Sequence, residues 1–337
     1  MNISRRYRAW AIALAGLLAL LVASVLAGLC IGETLFTPAE VIRLLTNPVD
    51  DGRTEILTRL RLPRVLLGCA VGGALSLSGV ILQGIFRNPL VEPYTLGISG
   101  GASVGVSLTI VLSLQVAWGS FTLPAAGFAG ALVTVLFVHG LGTRRGTRVE
   151  GLLLTGVMIS FISSSLVMLL MATAKSRDLH GIIFWIMGAL NETNGTLIRL
   201  VGIASVASLL LAYLYAPALN ALRLGAEPAT QLGVNTGRLV KILFLLASLL
   251  TGICVSVAGL IGFVGLVIPR LLIHAVGTDY RILLPASFLG GSIFLVLSDI
   301  LARVAIAPLE LPIGVITGIT GGALFIAITS GRKKRAG

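Results

Sequence analysis

Apolar runs of about 20 residues recur along the whole chain, and each is long enough to cross a bilayer as an α-helix. Lipid cannot satisfy backbone hydrogen bonds, so a spanning segment must be helical or part of a closed barrel. Barrel strands alternate apolar and polar residues, whereas these runs do not. We place spans near residues 10–31, 63–86, 94–117, 121–142, 150–172, 197–219, 239–258, 262–276, 282–302 and 312–330. The sequence therefore predicts an all-α polytopic membrane protein with about ten transmembrane helices in one domain, residues 1–337.

Charged residues are scarce and unevenly placed. They make up 11% of the chain, and the net charge is +12, which raises the possibility of a nucleic-acid partner. With the N-terminus placed inside, however, the whole positive excess falls on the predicted inner segments. This distribution indicates a multi-pass protein of the cytoplasmic (inner) membrane with both termini cytoplasmic, and no nucleic-acid partner. The basic clusters at 5–8, 144–148 and 332–335 are topology signals first, and membrane lipid is a secondary partner.

The sequence contains no recognisable catalytic, metal-binding or nucleotide-binding motif. Cys30, Cys69 and Cys254 lie in apolar runs without paired spacing, which predicts packing residues and not a disulfide or metal site. The glycine-rich string 97–103 lacks the Lys-Ser/Thr of a phosphate-binding loop, and HExxH and GxSxG motifs are absent. The first span exceeds the apolar core of a signal peptide, so we expect an uncleaved helix. No catalytic residue, metal or cofactor is predicted.

One polar stretch, Pro217–Lys241, separates two of the spans. Glu227-Pro228 suits the first turn of a helix and Gly233 suits the residue past its end. The pattern predicts about two turns of exposed helix at the membrane surface. A solvated connection and a docking element are both compatible with this spacing.

Two features mark the predicted outer segments, 32–62 and 173–196. Thr37-Pro38-Ala39-Glu40 predicts a capped surface helix over 38–45. Arg59, Arg61 and Arg64 lie at the outer end of span 2, where positive charge is not needed for orientation. They could reach lipid headgroups or form a docking patch for an acidic partner. Trp118 is predicted as an interface anchor, and a lone His180 as a plain surface residue.

Small residues line several spans. Gly68, Gly72 and Gly79 in span 2 predict close helix packing, and so do Gly314, Gly318, Gly321 and Gly322 in span 10, which suits a dimer interface. In span 5 the serines at its middle, with Met158, Ser165 and Met168 on one predicted face, suit either helix packing or an uncharged pathway wall.

Asp299 is the acid that we place inside a span. Arg303 lies one turn away, so the two are predicted to form an ion pair on one helix face. A proton relay needs a chain of such groups, which the sequence lacks. The break over Gly259, Gly262 and Gly265 has no acid near it in sequence, so we predict a structural turn and not an ion site.

Five stretches together carry a family resemblance: RLPR (61–64), FRNPLVEPYTLGISGGASVGV (86–106), LGAEPATQLGV (224–234), GFVGLVIPRLL (262–272) and ELPIGVITGITGGALFI (310–326). In content and spacing they resemble the transmembrane permeases of type II, FecCD-type ABC importers for iron–siderophore complexes, haem and vitamin B12. The resemblance implies a homodimer of this chain, two cytoplasmic ABC ATPase subunits that bind ATP and Mg²⁺, and an extracytoplasmic substrate-binding protein.

The resemblance also implies roles for particular residues. Arg61, Arg64 and Arg303 match arginines that dock the binding protein, and Asn88 and Leu90 match a turn that narrows the pathway. Span 5 would line the pathway through Ser160, Ser164 and Met168. Within the cytoplasmic segment 220–238, the residues that match the ATPase-coupling helix are Leu224, Gly225, Ala226, Glu227, Pro228, Ala229, Gln231, Leu232 and Gly233. The loop before span 5, residues 145–150, lacks the hydroxyl run of some members, so no gate is assigned there.

An ion-coupled secondary transporter is the alternative function, and an intramembrane enzyme is a distant third. The near absence of intramembrane charge and the presence of a docking segment favour the ABC importer. Siderophore, haem and cobalamin permeases share these motifs, so the sequence leaves the substrate open.

Overall fold

The computed structural model describes residues 3–48, 50–115, 119, 121–144 and 149–330. Eight helices in this part of the chain are long and apolar enough to cross a membrane, and two shorter apolar helices accompany them. These helices coincide with the predicted spans, and the described residues form no strand beyond an isolated bridge between Ile306 and Leu309. The all-α prediction is confirmed. Trp118, the loop 145–148 and the basic cluster 332–335 lie outside the described residues.

The α-helices follow one another along the chain as α1 (Ile3–Cys30), α2 (Pro38–Thr46), α3 (Gly52–Glu55), α4 (Leu62–Phe86), α5 (Ile98–Val111), α6 (Thr122–Arg144), α7 (Val149–Thr173), α8 (Ser176–Ile186), α9 (Gly195–Leu214), α10 (Ala216–Leu222), α11 (Ala226–Gln231), α12 (Thr236–Ala258), α13 (Val264–Val276), α14 (Tyr280–Val304) and α15 (Ile313–Ser330). A π-helical segment, Ile56–Arg61, joins α3 to α4, and a 3-10 turn, Pro93–Leu96, precedes α5.

α4 is the centre of the fold. It is buried along most of its length and packs most extensively against α14, and also against α12, α9 and α13. A Cβ on Gly72 would overlap the carbonyl oxygen of Gly291, and a Cβ on Gly79 would overlap that of Gly265. The predicted close packing of this span is therefore confirmed, because only glycine lets these backbones approach so closely. In α15, Gly314 and Gly321 pack within the chain, whereas a Cβ on Gly318 would meet nothing within 4 Å.

The first outer segment is more helical than predicted. The capping box is present: the Thr37 backbone N–H donates to Glu40 Oε2 at 2.8 Å, and α2 follows it. The side chain of Asp51 then accepts a 2.8 Å hydrogen bond from the Thr54 N–H and starts a second helix. From Gly52 the backbone stays helical into α4, so the end of segment 32–62 extends span 2 outwards. Local capping by Asp51 is the reason for this difference.

One span is much shorter than predicted, and a second is about as short as predicted. Spans 94–117 and 262–276 become α5 and α13, with 14 and 13 residues, which is less than the ~20 needed to cross a bilayer. Each helix begins at a residue with positive φ, Gly97 at +79° and Phe263 at +68°. A residue in this conformation cannot continue a right-handed helix. The chain therefore enters both helices through irregular backbone, which must be buried in protein if it lies at membrane depth.

Candidate functional site

The predicted coupling helix is present as α11, a short element held by one buried side chain. Ala229 is fully buried, while Glu227, Pro228 and Gln231 are exposed. Two leucines that flank the helix are also exposed, Leu224 at 68% and Leu232 at 65%. The helix thus presents apolar side chains beside polar ones, which is the composition of a surface that another protein can cover.

Glycines at both ends explain why α11 stays short. Gly225 precedes it with φ +127°, and Gly233 follows it with φ +84°. At the C-terminal end the Gly233 N–H donates to Thr230 O at 2.9 Å, and the Val234 N–H donates to Ala229 O at 3.0 Å. These two bonds form a Schellman motif, which requires a left-handed residue where Gly233 stands. The sequence predicted this end correctly.

The turn that contains Asn88 and Leu90 lies beside α11. Asn88 Oδ1 accepts a 3.0 Å hydrogen bond from the Leu90 N–H, which fixes the turn after α4. Arg87 ends α4 in the left-handed conformation, with φ +49°. Its guanidinium lies 3.8 Å from the position of a Cβ on Gly225, so the turn and the start of α11 are neighbours.

A cavity of about 410 Å³ lies between α5, α7 and α8. The predicted pathway residues Ser160, Ser164 and Met168 all line it, and Met171 and Met187 add two more thioethers. Its lining contains no charged side chain, and hydroxyl groups alternate with apolar surface. Its remaining lining residues are Tyr94, Ser99, Gly100, Ser103, Val167, Ile183, Ile186 and Leu260.

The cavity includes only part of the predicted span 5 face. Met168 lines the cavity, whereas Met158 and Ser165 are exposed on α7 outside it, and their part in a pathway wall stays a prediction. The cavity face repeats every three or four residues from Ser160 through Ser164 to Met171, as expected for an α-helix. A seven-residue step from Met158 to Ser165 fits one helix face equally well, so periodicity alone could not identify which face is used.

The break between α12 and α13 has an acidic neighbour, which corrects the prediction of a turn without one. Glu92, from the segment before α5, accepts a 2.5 Å hydrogen bond from the Phe263 N–H at Oε1. Tyr94 Oη accepts from the Ile261 N–H at 3.0 Å. Both contacts satisfy backbone donors that the broken helix leaves without partners. Sequence inspection missed Glu92 because it lies 171 residues from Phe263 along the chain.

At the other end of the molecule, two arginines donate hydrogen bonds to the last backbone carbonyls of α1. Arg61 Nη1 donates to Leu29 O at 2.8 Å. Arg303 donates to Gly28 O at 3.0 Å and to Ile31 O at 2.9 Å. The last carbonyls of a helix lack partners within it, and cations complement the negative end of its dipole. Arg61 and Arg303 are consequently buried, and their guanidinium groups are engaged within the chain.

Asp299 contacts both Arg303 and Arg64, the third of the predicted docking arginines. The predicted pair is present, with Arg303 Nε 3.0 Å from Asp299 Oδ2, although the two atoms lack the alignment of a hydrogen bond. Arg64 Nε donates to Asp299 Oδ1 at 2.7 Å, and Arg64 Nη1 donates to Glu310 Oε2 at 2.7 Å. The prediction that the pair satisfies itself on one helix was therefore incomplete, because Arg64 belongs to α4. A cavity of about 400 Å³ adjoins all three arginines, and Glu33 and Glu192 line it as well.

Two histidines and the three cysteines take ordinary positions. His180 lies on α8, exposed, with Nδ1 3.0 Å from Ser176 O. His139 stacks on Phe244 with ring centroids 6.5 Å apart. All three cysteines are free, and the described residues contain no group of three or more potential metal ligands.

Known proteins are similar to this chain over most of its length. Residues 20–330 match the model of the FecCD transport family. The hemin transport system permease protein of Yersinia pestis is 37% identical over 87% of this chain and 89% of that relative. The vitamin B12 import system permease protein of Klebsiella pneumoniae subsp. pneumoniae is 37% identical over 96% of this chain and 93% of that relative.

A solved structure has the same architecture. It shows a metal-chelate type ABC transporter in an inward-facing conformation, with a TM-score of 0.84 and 30% identity. The similarity covers 94% of this chain and 98% of that one. Sequence and fold comparisons therefore agree on one family.

Proposed function

The chain belongs to the FecCD transport family and is a membrane-spanning permease subunit of an ABC importer, and we propose that it carries an iron complex (a siderophore or haem) or cobalamin across the cytoplasmic membrane. The names of the hemin and vitamin B12 relatives support this substrate class. In this proposal residues 1–337 form one permease domain with both termini cytoplasmic. The chain binds no cofactor, and separate ATPase subunits bind ATP and Mg²⁺.

The observation that carries the coupling part of the proposal is the exposed surface of α11. Leu224 and Leu232 leave apolar area uncovered on a helix that Ala229 fixes to the rest of the chain. A rigid, partly apolar projection suits insertion into a groove on a partner. We therefore assign α11 and its flanks, residues 224–233, as the site that two cytoplasmic ABC ATPase subunits contact, one on each copy of this chain.

A pull-down tests this assignment. The tagged chain is purified from its own membranes in mild detergent, and its partners are identified by mass. We expect a soluble P-loop ATPase to co-purify with the unmodified chain and to be lost from the double variant Glu227→Lys/Gln231→Lys. Arg238→Glu is the matched control, since it also reverses a charge at an exposed position, but outside α11. Recovery of the chain alone, or equal ATPase recovery from all variants, would refute the assignment.

The cavity beside α7 supports a homodimer. Ser164 and Met168 line the cavity yet are exposed on the isolated chain, next to the exposed apolar side chains of Phe161 and Ile162. A hydroxyl facing lipid is less favourable than one facing a partner helix or a water-filled pathway. We propose that a second copy closes this side and that the substrate passes between the two α7 helices.

Cysteine cross-linking tests the dimer. In a background without Cys30, Cys69 and Cys254, Met168→Cys should form a disulfide-linked dimer in membranes under mild oxidation. Ile203→Cys on α9 is the control, because Ile203 is equally exposed at 71% but lies away from the cavity. Equal cross-linking at both positions, or none at Met168→Cys, would contradict the interface.

The outer cavity is the proposed contact for the extracytoplasmic binding protein. Arg64 pairs with Asp299 and Glu310, and Arg303 pairs with Asp299, whereas Arg61 forms no ion pair among the described residues. We propose that acidic side chains of the partner pair with these arginines, as the family resemblance implies, in place of a steering field, because Glu33 and Glu192 also line the cavity. Salt screens such pairs, so docking should weaken as ionic strength rises.

An ion-coupled carrier is the second candidate, and Glu92 is the observation that favours it. Its carboxylate lies at the break between α12 and the short helix α13, and secondary transporters place ion sites at such breaks. Transport that collapses with the ion gradient while ATP remains would establish the carrier. Transport that requires ATP and the α11 surface would exclude it.

A further inference from the structure

A third cavity, of about 850 Å³, lies between the start of α1, the end of α10 and the turn that joins α13 to α14. It belongs to the same end of the molecule as α11, since α10 leads directly into that helix. None of the pathway, coupling or docking residues described above lines it.

The side chains around this cavity are strongly basic. Arg5, Arg6, Arg223 and Arg281 line it together with one acid, Asp279. Among the described residues, Arg6 alone of these four forms an ion pair, and its partner is Asp279. The cavity therefore keeps an uncompensated positive charge, which favours an anionic ligand.

The carboxylate of Asp279 is fully used by contacts within the chain. Its Oδ1 accepts from Asn220 Nδ2 at 2.8 Å and from the Arg281 N–H at 3.0 Å, so it caps α14 and fixes α10 beside it. Although burial raises the pKa of this carboxyl, these hydrogen bonds and the charges of Arg6 and Arg281 hold it below its usual value. Asp279 is thus ionised at neutral pH and oriented towards the protein. Arg5 and Arg281 are left to meet a ligand.

Aromatic and apolar residues indicate the depth of the cavity in the membrane. Trp10 lines it, with the Arg6 guanidinium 4.5 Å from the ring centroid, and Tyr7 packs edge-on against Trp10 at 5.4 Å. Tyrosine and tryptophan concentrate where hydrocarbon meets headgroups. Above them α1 exposes apolar side chains such as Ile12, which is 73% exposed. A ligand here could keep a polar group in the cavity and an acyl chain along α1.

We propose that this cavity binds the phosphate headgroup of an anionic phospholipid from the cytoplasmic leaflet. Basic pockets between transmembrane helices on the cytoplasmic side are suited to such headgroups. Arg5 and Arg281 would contact the phosphate, while the contacts among Arg6, Trp10 and Asp279 hold the wall of the cavity in place. The inference rests on the proposed orientation of the chain but not on its substrate.

Native mass spectrometry of the purified, delipidated chain tests the proposal. Phosphatidylglycerol and phosphatidylcholine with identical acyl chains are added at equal concentration. We expect preferential retention of phosphatidylglycerol by the unmodified chain. Its affinity for that lipid should fall about 25-fold in the double variant Arg5→Gln/Arg281→Gln, because each basic residue near such a headgroup contributes roughly fivefold. Neither arginine forms an ion pair among the described residues, so the variant should fold normally.

Arg8→Gln is the matched control, since it removes the same charge from α1 outside the cavity, and it should retain the lipid. Equal retention of the two lipids by the unmodified chain would overturn the proposal, as would equal loss in Arg8→Gln and the double variant. Displacement of phosphatidylglycerol by millimolar inorganic phosphate would show a free-anion site and would also overturn it. None of these results depends on transport activity, so a failure here leaves the importer function standing.

Discussion

Replacing Asp299 by asparagine should destabilise the chain more than any other single loss of charge at the outer cavity. Asp299 lies between Arg64 and Arg303, and all three are largely buried. Asparagine keeps the shape and one acceptor, so it removes little more than the negative charge. The two guanidinium groups would then face each other without compensation.

The magnitude follows from burial. Removing one partner of a buried ion pair costs about 3–5 kcal/mol, because the other charge stays in a poorly solvated site. Arg64 also bonds Glu310, whose side chain is 50% exposed, so part of its charge stays compensated. We therefore expect a loss near the lower end, about 3 kcal/mol. Glu310→Gln at the exposed end should cost less than about 1 kcal/mol.

The assay is SDS-driven unfolding in mixed micelles, followed by far-ultraviolet circular dichroism, for Asp299→Asn, Glu310→Gln, Arg64→Met and the double variant Asp299→Asn/Arg64→Met. In the Arg64→Met background, the loss of unfolding free energy caused by Asp299→Asn should be smaller by at least about 1 kcal/mol, because one buried guanidinium fewer is then left without a counter-charge. Equal losses for Asp299→Asn and Glu310→Gln would refute the reasoning from burial. Capture of the binding protein should fall in Asp299→Asn as well, without any change in proton coupling.

Three further predictions concern helix contacts. Gly79→Ala should cost about 1–3 kcal/mol of unfolding free energy by forcing α4 away from α13, whereas Gly16→Ala, with nothing within 4 Å of the new Cβ, should not destabilise the chain. Glu92→Ala should lower both stability, by about 1–3 kcal/mol, and transport by leaving the Phe263 N–H unpaired, while Glu92→Gln, which keeps an acceptor, should restore both. If Glu92→Gln abolished transport, its charge would be needed and an ion-coupled role would gain support. Arg61→Met should speed amide hydrogen exchange at the C-terminal end of α1, and unchanged exchange there would show that the carbonyls do not need the guanidinium.

Local features of the fold were accessible from sequence. The capping box of α2 and the glycine end of α11 depend on residues within one or two turns, and both were found where the sequence placed them. Most spans were accessible for a similar reason, because a helix that crosses a bilayer needs a run of about 20 apolar residues. Segment 52–61 was missed, since its helix depends on a cap by Asp51 and continues through a π-helical turn.

The contacts that build the sites are of another kind. Arg64 meets Asp299 across 235 residues of sequence, and Arg6 meets Asp279 across 273. Nothing in the periodicity of either helix specifies such a partner. The family resemblance pointed to Arg64, but as a docking residue, whereas the structure also engages it within the chain. Its docking role stays a prediction.

The segment between α4 and α5 connects the proposed coupling surface to the cavity. At one end Arg87 lies beside Gly225 at the start of α11, and at the other end Tyr94 lines the cavity itself. Between them Glu92 holds the start of α13 through the Phe263 N–H. Because α5 and α13 each begin after a residue with positive φ, a shift of their starts would not bend a continuous helix. A displacement of α11 by an ATPase would thus reach the cavity through about ten residues, and Glu92 is the contact that makes α13 move with them. This is why Glu92→Ala should impair transport even under conditions in which the chain remains folded.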